Sequence, residues 1–468
     1  MTHAEPTAHA LPASAAVRPG AKLRRLAAVF APALLALASS VVFLAAAPLA
    51  ARTALFLHLG SVVAAGRGFN VGWLGALALH AADALGGYAG AATLGALELF
   101  ALTAFVYARA RSRAGAVLAL GAALFALLTC FDAARLSGIA TAWLGAAAFL
   151  YALDRAPRRS AWFAPLIALV WCNASPTGLL APVLAVLVAF GRIAEARDVT
   201  AARPYWPFAF AAAAATLLTP GGFAYPFQAL AALHLDPQFA RILPIAPGTA
   251  APHVFRIAAT LVVVAAAWLW AGRRRAADAP LVLAAFTLCF FDGGFVPLLG
   301  IVAGPAFAAA ASGREEIVAP PARAEARGAG LSAVFVVLAG LIILPHAPTR
   351  AWTNESPLPL LEGLSARGGT HVVFCSTIAW CDYAETLPGL RPFLDERVEH
   401  ATFAQLQAQE KIGRARPGWH QALRENGIDA ILVPRDAALV QLVPSLRGWK
   451  LAGSDVDARL FVREAGAR

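Results

Sequence analysis

The chain has 468 residues, of which 59% are hydrophobic and 14% charged, and its mean hydropathy is +0.66; soluble domains carry about 25% charged residues, so a soluble fold would have nowhere to put this surface. The formal charge is +11, but from Arg350 onward 14 Lys+Arg balance 14 Asp+Glu, and the whole excess, 24 basic against 13 acidic residues, lies before that point. Basic residues so placed are a membrane-topology signal rather than a nucleic-acid footprint, and nucleic acid is excluded as a partner.

Residues 1–25, rich in Ala, Pro and His, read as a disordered cytoplasmic tail, and the apolar run at 26–49 as an uncleaved first span. Residues 53–87 are apolar but broken by Gly66, Gly68, Gly72, Gly86 and Gly87, a pattern for short helices lying at the membrane interface. Further runs at 88–108, 115–131, 137–153, 161–173, 177–191, 204–219, 254–271, 279–291, 296–312 and 329–346 complete the series. Period-two alternation is absent, which leaves helices rather than a barrel. The expected fold is therefore a polytopic α-helical membrane protein of about eleven spans, with a small C-terminal α/β domain over 350–468.

The basic clusters fall on every second loop. Arg18–Arg25, RARSR at 109–113, DRAPRR at 154–159, Arg192–Arg203, RRR at 273–275 and Arg314–Arg327 hold 19 Lys+Arg, while the intervening loops hold five: Arg52, Arg67, Arg135, Arg241 and Arg256. That asymmetry puts the clustered loops in the cytoplasm. The N-terminus is then cytoplasmic, and an odd number of spans leaves the C-terminal domain periplasmic, at a bacterial inner membrane. In that oxidising compartment Cys375 and Cys381, separated by five residues across a strand-to-helix junction, read either as a disulfide or as two unpaired thiols. Cys130, Cys172 and Cys289 sit in apolar spans as packing residues.

Beyond Trp352 the pattern changes to short β runs at 371–374, 391–395, 430–434 and 458–464, alternating with helical stretches near 376–387, 402–412, 417–426 and 436–444. Alternation on this scale predicts a small sheet layered with helices. It contains no phosphate loop, metal-ligand spacing or nucleophile elbow.

Six segments carry a resemblance: FLHLGSVVAAG (56–66), GWLGALALHAADALGGYAG (72–90), VWCNASPTG (170–178), TPGGFAYPF (219–227), AWCDYAETLPGLRPFLDER (379–397) and PGWHQALRENGIDAILVPRD (417–436). In this order they resemble the GT-C superfamily, the polyprenyl-phosphate-sugar-dependent membrane glycosyltransferases, in the group of bacterial protein-mannosyltransferases and lipopolysaccharide-core transferases. The resemblance implies transfer of a sugar from a polyprenyl-phosphate carrier to an envelope acceptor, with membrane lipid and the lipid-linked sugar as partners. In the family an Asp of the first outer loop is the general base or metal-binding acid, but Ala54 stands there in this chain. The acid opening the second interfacial helix is replaced by about Gly72, the His of the Asn-x-His-Gly turn by Ser175, and residues 50–82 contain no carboxylate. No metal site is indicated, and the cofactor is left open.

Catalysis then needs another acid. Glu98, near the middle of the 88–108 span, is costly to place there unless it serves a function or stays neutral and hydrogen-bonded to a neighbouring helix. Asp132 is the second candidate, beside Arg135, which is placed either to pair with a carrier phosphate or to bridge to Asp132 itself. Asp83, Asp236 and Asp292 are the other carboxylates expected near the outer surface. His58 can orient a phosphate or hydroxyl or be structural, and Asn173 can touch substrate or cap backbone groups. Two function classes follow: an active transferase, or a catalytically silent relative that binds lipid-linked glycan or a partner protein. A transporter lacks support, since no paired inverted repeat is evident.

Overall fold

The computed structural model of the protein describes residues 30–40, 58–60, 71–130, 139–155, 163–233, 276–291, 293–312, 357–395 and 401–464. The expected spans 254–271 and 329–346 and the N-terminal tail lie outside the described residues.

The first part is helical: α1 (Phe30–Ser40), α2 (Trp73–Arg111), α3 (Ala116–Thr129), α4 (Ile139–Leu153), α5 (Phe163–Ala174), α6 (Leu180–Ala196), α7 (Trp206–Leu217), α8 (Tyr225–Ala232), α9 (Ala279–Phe291) and α10 (Val296–Ala311). By length and composition, Ala89–Arg111 and Pro176–Ala196 suffice to cross a membrane, and the bent pair Trp206–Leu217 with Gly222–Ala232 is a third candidate among the described residues. The shorter apolar helices pack around them. Their contacts are made by small residues, as expected where lipid removes the hydrophobic drive between helices. A Cβ on Gly304 would lie 2.8 Å from the Ala122 carbonyl, and one on Gly300 would collide with the Thr129 hydroxyl, so α10 and α3 touch backbone to backbone. Phe163, Phe190 and Phe210 face outward, a lipid-facing surface rather than a packing defect.

α2 is two helices in one. Its backbone leaves helical geometry at Gly86 (φ −146°) and Gly87 (φ +56°), the latter a left-handed conformation that favours glycine. The Ala82 carbonyl then lies where a Cβ on Gly90 would sit. In a straight helix residues eight apart are ~12 Å apart, so the chain doubles back at the glycine pair. The Trp73–Leu85 arm thereby folds back against the start of the Ala89–Arg111 helix, where Ala82 meets Gly90.

The C-terminal domain comprises α11 (Leu358–Ala366), β1 (His371–Cys375), α12 (Ile378–Ala384), β2 (Leu390–Pro392), α13 (Phe403–Gly413), α14 (Trp419–Glu425), β3 (Ala430–Pro434), α15 (Leu439–Leu442), β4 (Trp449–Ser454) and β5 (Ala458–Arg463). The sheet order is β2-β1-β3-β5-β4; β1 is parallel to β2 and β3, and β5 is antiparallel to β3 and β4. Successive strand residues point to opposite faces, and both faces are apolar. Phe374, Ile431, Val433 and Phe461 pack beneath α13, α14 and α15, while Val373, Cys375, Leu432 and Leu460 pack beneath α11 and α12. The result is a sheet covered by helices on both sides. Two elements escape the sequence reading. β4 is an edge strand exposed on both faces and bulged between Leu451 and Gly453, so it has no apolar alternation to announce it. α11 is a proline-led helix preceding the first expected strand.

Candidate functional site

Three stretches of chain, distant in sequence, meet at one end of the bundle: the start of α2, the turn between α5 and α6, and the bend between α7 and α8. The first contact depends on glycine. Gly72 caps α2 in a left-handed conformation (φ +87°), and a Cβ on Gly75 would lie 2.6 Å from the Ala174 carbonyl. The arm can therefore press against the turn backbone. Trp73 Nε1 donates to Asn173 Oδ1 at 2.8 Å, and Asn173 Nδ2 donates to the Leu169 carbonyl at 2.9 Å. Asn173 thus joins the arm to its own helix, and its amide orientation is set by these two partners.

The turn is tied inward by hydroxyls. Trp171 Nε1 donates to Thr177 Oγ1 at 2.9 Å, Ser175 Oγ and Thr177 Oγ1 are also 2.9 Å apart, and Thr177 Oγ1 donates to the Ala142 carbonyl of α4 at 3.4 Å. Tyr225, opening α8, is 2% exposed and donates from its hydroxyl to the Ser175 carbonyl at 3.2 Å. Between these elements lies a small open cleft lined by Gly72, Trp73, Cys172, Thr219, Tyr225 and Gln228 among others, all uncharged.

Next to Ala142 on α4, Thr141 Oγ1 donates to Glu98 Oε1 at 2.6 Å. Glu98 is half-buried between the long arm of α2 and α4. The carboxylate therefore stands one residue along α4 from the carbonyl that receives Thr177. The start of α2 meets the turn at Asn173 and Ala174, while Glu98 stands behind it, held at Thr141.

The other residues singled out in the sequence are distributed as follows. His58 is half-buried in a short helical turn, 58–60, whose Gly60 packs on Ala76 and His80 of the arm. Asp83 is half-buried near the end of that arm. Ala54, Asp132, Arg135, Asp236 and Asp292 lie outside the described residues. Trp73, Trp171, Thr177 and Tyr225 were not singled out. Their signal is the presence of four polar or aromatic donors beside Gly-containing turns, which in sequence is indistinguishable from ordinary turn chemistry.

A divalent cation requires several oxygen donors converging on one point. The described residues contain no group of three or more His, Cys, Asp or Glu able to hold a metal, and the cleft lining contributes no carboxylate. The described residues therefore do not assemble a donor set for a metal at this cleft.

In the C-terminal domain Cys375, ending β1, is bonded to Cys381 of α12 with the Cα atoms 5.7 Å apart, and both are buried. The AWCDYAETLPGLRPFLDER stretch forms α12 and β2. Asp382 is wholly buried, and Tyr383 donates to Glu362 Oε1 of α11 at 2.6 Å. Loss of solvent together with the Glu362 bond pushes the Tyr383 phenol up to about 12.

Fold and site together define a helical membrane protein that carries a small α/β domain and a polar cleft where three turns of its helical part converge. Neither a protein-family model nor a curated protein matches the chain. Two crystal structures of ArnT from Cupriavidus metallidurans are similar to it. The structure bound to undecaprenyl phosphate is 13% identical with a TM-score of 0.45, covering 93% of this chain and 98% of that one. The apo structure is 14% identical with a TM-score of 0.46, covering 92% and 97%.

Proposed function

We propose that this protein is a GT-C-like integral-membrane glycosyltransferase of the bacterial inner membrane, moving a sugar from a polyprenyl-phosphate carrier to a cell-envelope acceptor. The observation that carries this reading is the meeting of residues 72–75, 171–178 and 219–228 around one cleft. These belong to three of the six stretches that carry the family resemblance, and they lie roughly 50 to 100 residues apart. In the orientation set by the basic loops the cleft faces the periplasm, as does the C-terminal domain, and the N-terminus is cytoplasmic.

In this reading the sugar C1–O bond to the carrier phosphate breaks, the acceptor oxygen bonds to C1, and the carrier leaves as its phosphate. A carboxylate takes the acceptor's proton. Glu98 is the acid proposed for that step because it is adjacent to the turn, with Asp132 as the second candidate. Arg135 and His58 are proposed to meet the carrier phosphate, and Asn173 to shape the site. The test is release of polyprenyl phosphate from carrier-linked radiolabelled sugar by purified protein, beside complementation of an envelope-glycan defect. Release and complementation by the parent but not by Glu98→Gln or Asp132→Asn support the reading.

That no carboxylate of the described residues lines the cleft, and that Ala54 stands where the family has its acid, favours one other reading, a catalytically silent relative that binds lipid-linked glycan or a partner protein. Saturable binding of the lipid-linked sugar with no release of carrier phosphate would establish it.

A further inference from the structure

At the end of the bundle opposite the cleft, charged side chains from four segments interlock. Arg109 and Arg113 stand at the end of α2, Asp154 directly follows α4, Arg192 lies in α6, and Asp278 directly precedes α9. Asp154 accepts from Arg109 Nε at 2.8 Å and from Arg113 Nη2 at 2.6 Å. Asp278 takes Arg113 Nη1 on both oxygens, at 2.8 and 2.7 Å, and Arg109 Nη2 at 3.4 Å. Arg109 also donates to the Ile301 carbonyl of α10 at 3.5 Å. The Arg109 and Asp278 side chains are 1% and 3% exposed, so this is a desolvated cluster and not a surface pair. Arg192 lies 3.9 Å from Asp154 and pairs with Glu195 at 3.1 Å.

The order of these residues along the chain matters. Among the described ion-paired residues, Arg109, Arg113 and Arg192 face only Asp154 and Glu195 until Asp278 arrives, an excess of one positive charge. A buried charge without its partner is strongly disfavoured, whereas a completed cluster is tolerated. We propose that the cluster is an assembly latch: α2, α4 and α6 form a basic socket one charge in excess, and Asp278 fills it, seating the α9–α10 pair on the earlier helices.

The shape of the seat supports the same conclusion independently of charge. Gly191 of α6 lies against the Ala277 carbonyl so closely that no Cβ would fit, and Ser312, at the end of α10, donates from Oγ to the Arg113 carbonyl at 3.1 Å. Farther along, α10 meets α3 through Gly300 and Gly304. Those small-residue surfaces offer packing but little directional preference in lipid. The charge pair supplies the direction.

Three native cysteines report on docking without further substitution. Cys289 in α9 is 2% exposed, ~3 turns from Asp278, and Cys130 ends α3 beneath α10 at 1%. Cys172, in α5, lies outside the docked pair and is the internal control. In the full-length protein in detergent, Asp278→Asn should raise N-ethylmaleimide labelling of Cys289 and Cys130 by ~10-fold or more, with Cys172 unchanged. The charge-balanced Arg113→Gln/Asp278→Asn pair should label more slowly than the single variant. Equal protection of Cys289 in the parent and Asp278→Asn would overturn the proposal. So would a double variant that labels as fast as the single. If Asp278→Asn does not accumulate, the double variant decides: accumulation supports the latch, and failure to accumulate overturns it.

Discussion

Glu98→Gln separates the catalytic reading from the binding one because its structural cost is small and calculable. The Thr141 hydroxyl donates to Glu98 Oε1 at 2.6 Å, and a glutamine amide oxygen in the same place accepts the same bond. The bond changes from charge-assisted, worth ~1.5–3 kcal/mol, to neutral, worth ~0.5–1.5 kcal/mol. That loss of about 1 kcal/mol is opposed by replacing a carboxylate with an amide where burial disfavours charge, so stability should change by ~1 kcal/mol or less, too little to unfold the bundle. Rate is another matter. Removing a general base costs ~10²–10⁴-fold, or ~2.7–5.5 kcal/mol of barrier. Thr141→Val is the companion variant: it deletes the donor, keeps the carboxylate, and should lose ~10-fold or less in rate while losing more stability than Glu98→Gln. The assay is release of polyprenyl phosphate from carrier-linked sugar at matched protein levels, with the melting midpoint of each variant measured in parallel. A Glu98→Gln protein that releases carrier at the parent's rate would refute the reasoning, and Asp132 would become the acid to test.

Gly75→Ala should lower the melting midpoint and weaken activity, since its Cβ would meet the Ala174 carbonyl at 2.6 Å and overpacking costs ~1–3 kcal/mol; Gly86→Ala, with nothing within 4 Å, is the control. Asp154 gives a pH prediction. Burial alone would raise its carboxyl, but Arg109 and Arg113 outweigh burial and hold it below the ordinary 3.8. A depressed folded-state value means the contribution is intact above 3.8 and lost only as pH falls through the lower folded-state value. With Arg109, Arg113, Arg192, Asp278 and Glu195 as its charged neighbours, the midpoint should be flat from about pH 5 to 8 with respect to this group. Asp154→Asn should lower it throughout by the equivalent of ~3–5 kcal/mol. A periplasmic C-terminal domain should keep Cys375 and Cys381 unalkylated until reductant and denaturant are both added, because both sulfurs are bonded and buried. Equal labelling with and without reductant would count against that compartment, as would a tag at Arg468 that protease reaches only after the inner membrane is broken.

What could be read from the sequence follows the physics that writes it there. Apolar length marks helices directly, so α3, α4, α7, α9 and α10 fall within the expected runs, while α5 and α6 run past the C-terminal ends of theirs, to Ala174 and Ala196. Turn glycines mark breaks, and Gly86 with Gly87 marked the boundary between the arm and the long helix. The direction in which the arm leaves that break is a tertiary fact. It depends on Gly90 leaving room for the Ala82 carbonyl and Gly75 for that of Ala174, contacts that no local pattern encodes. The neighbours of Glu98 were illegible for the same reason. Its position in an apolar run showed that it needed a partner, and Thr141, 43 residues away, is an ordinary threonine until α2 and α4 are packed together. The opposite end teaches the converse. Arg109, Arg113 and Arg192 were counted as loop charges because counting is all that a topology argument requires, yet the structure turns them inward onto Asp154 and Asp278. A residue that helps set orientation can be buried afterwards, and the cost of burying it is then offset by an acid from another helix. On the proposed topology the same arginines act twice, first as the basic loops that set orientation and then as the socket on which the later helices close.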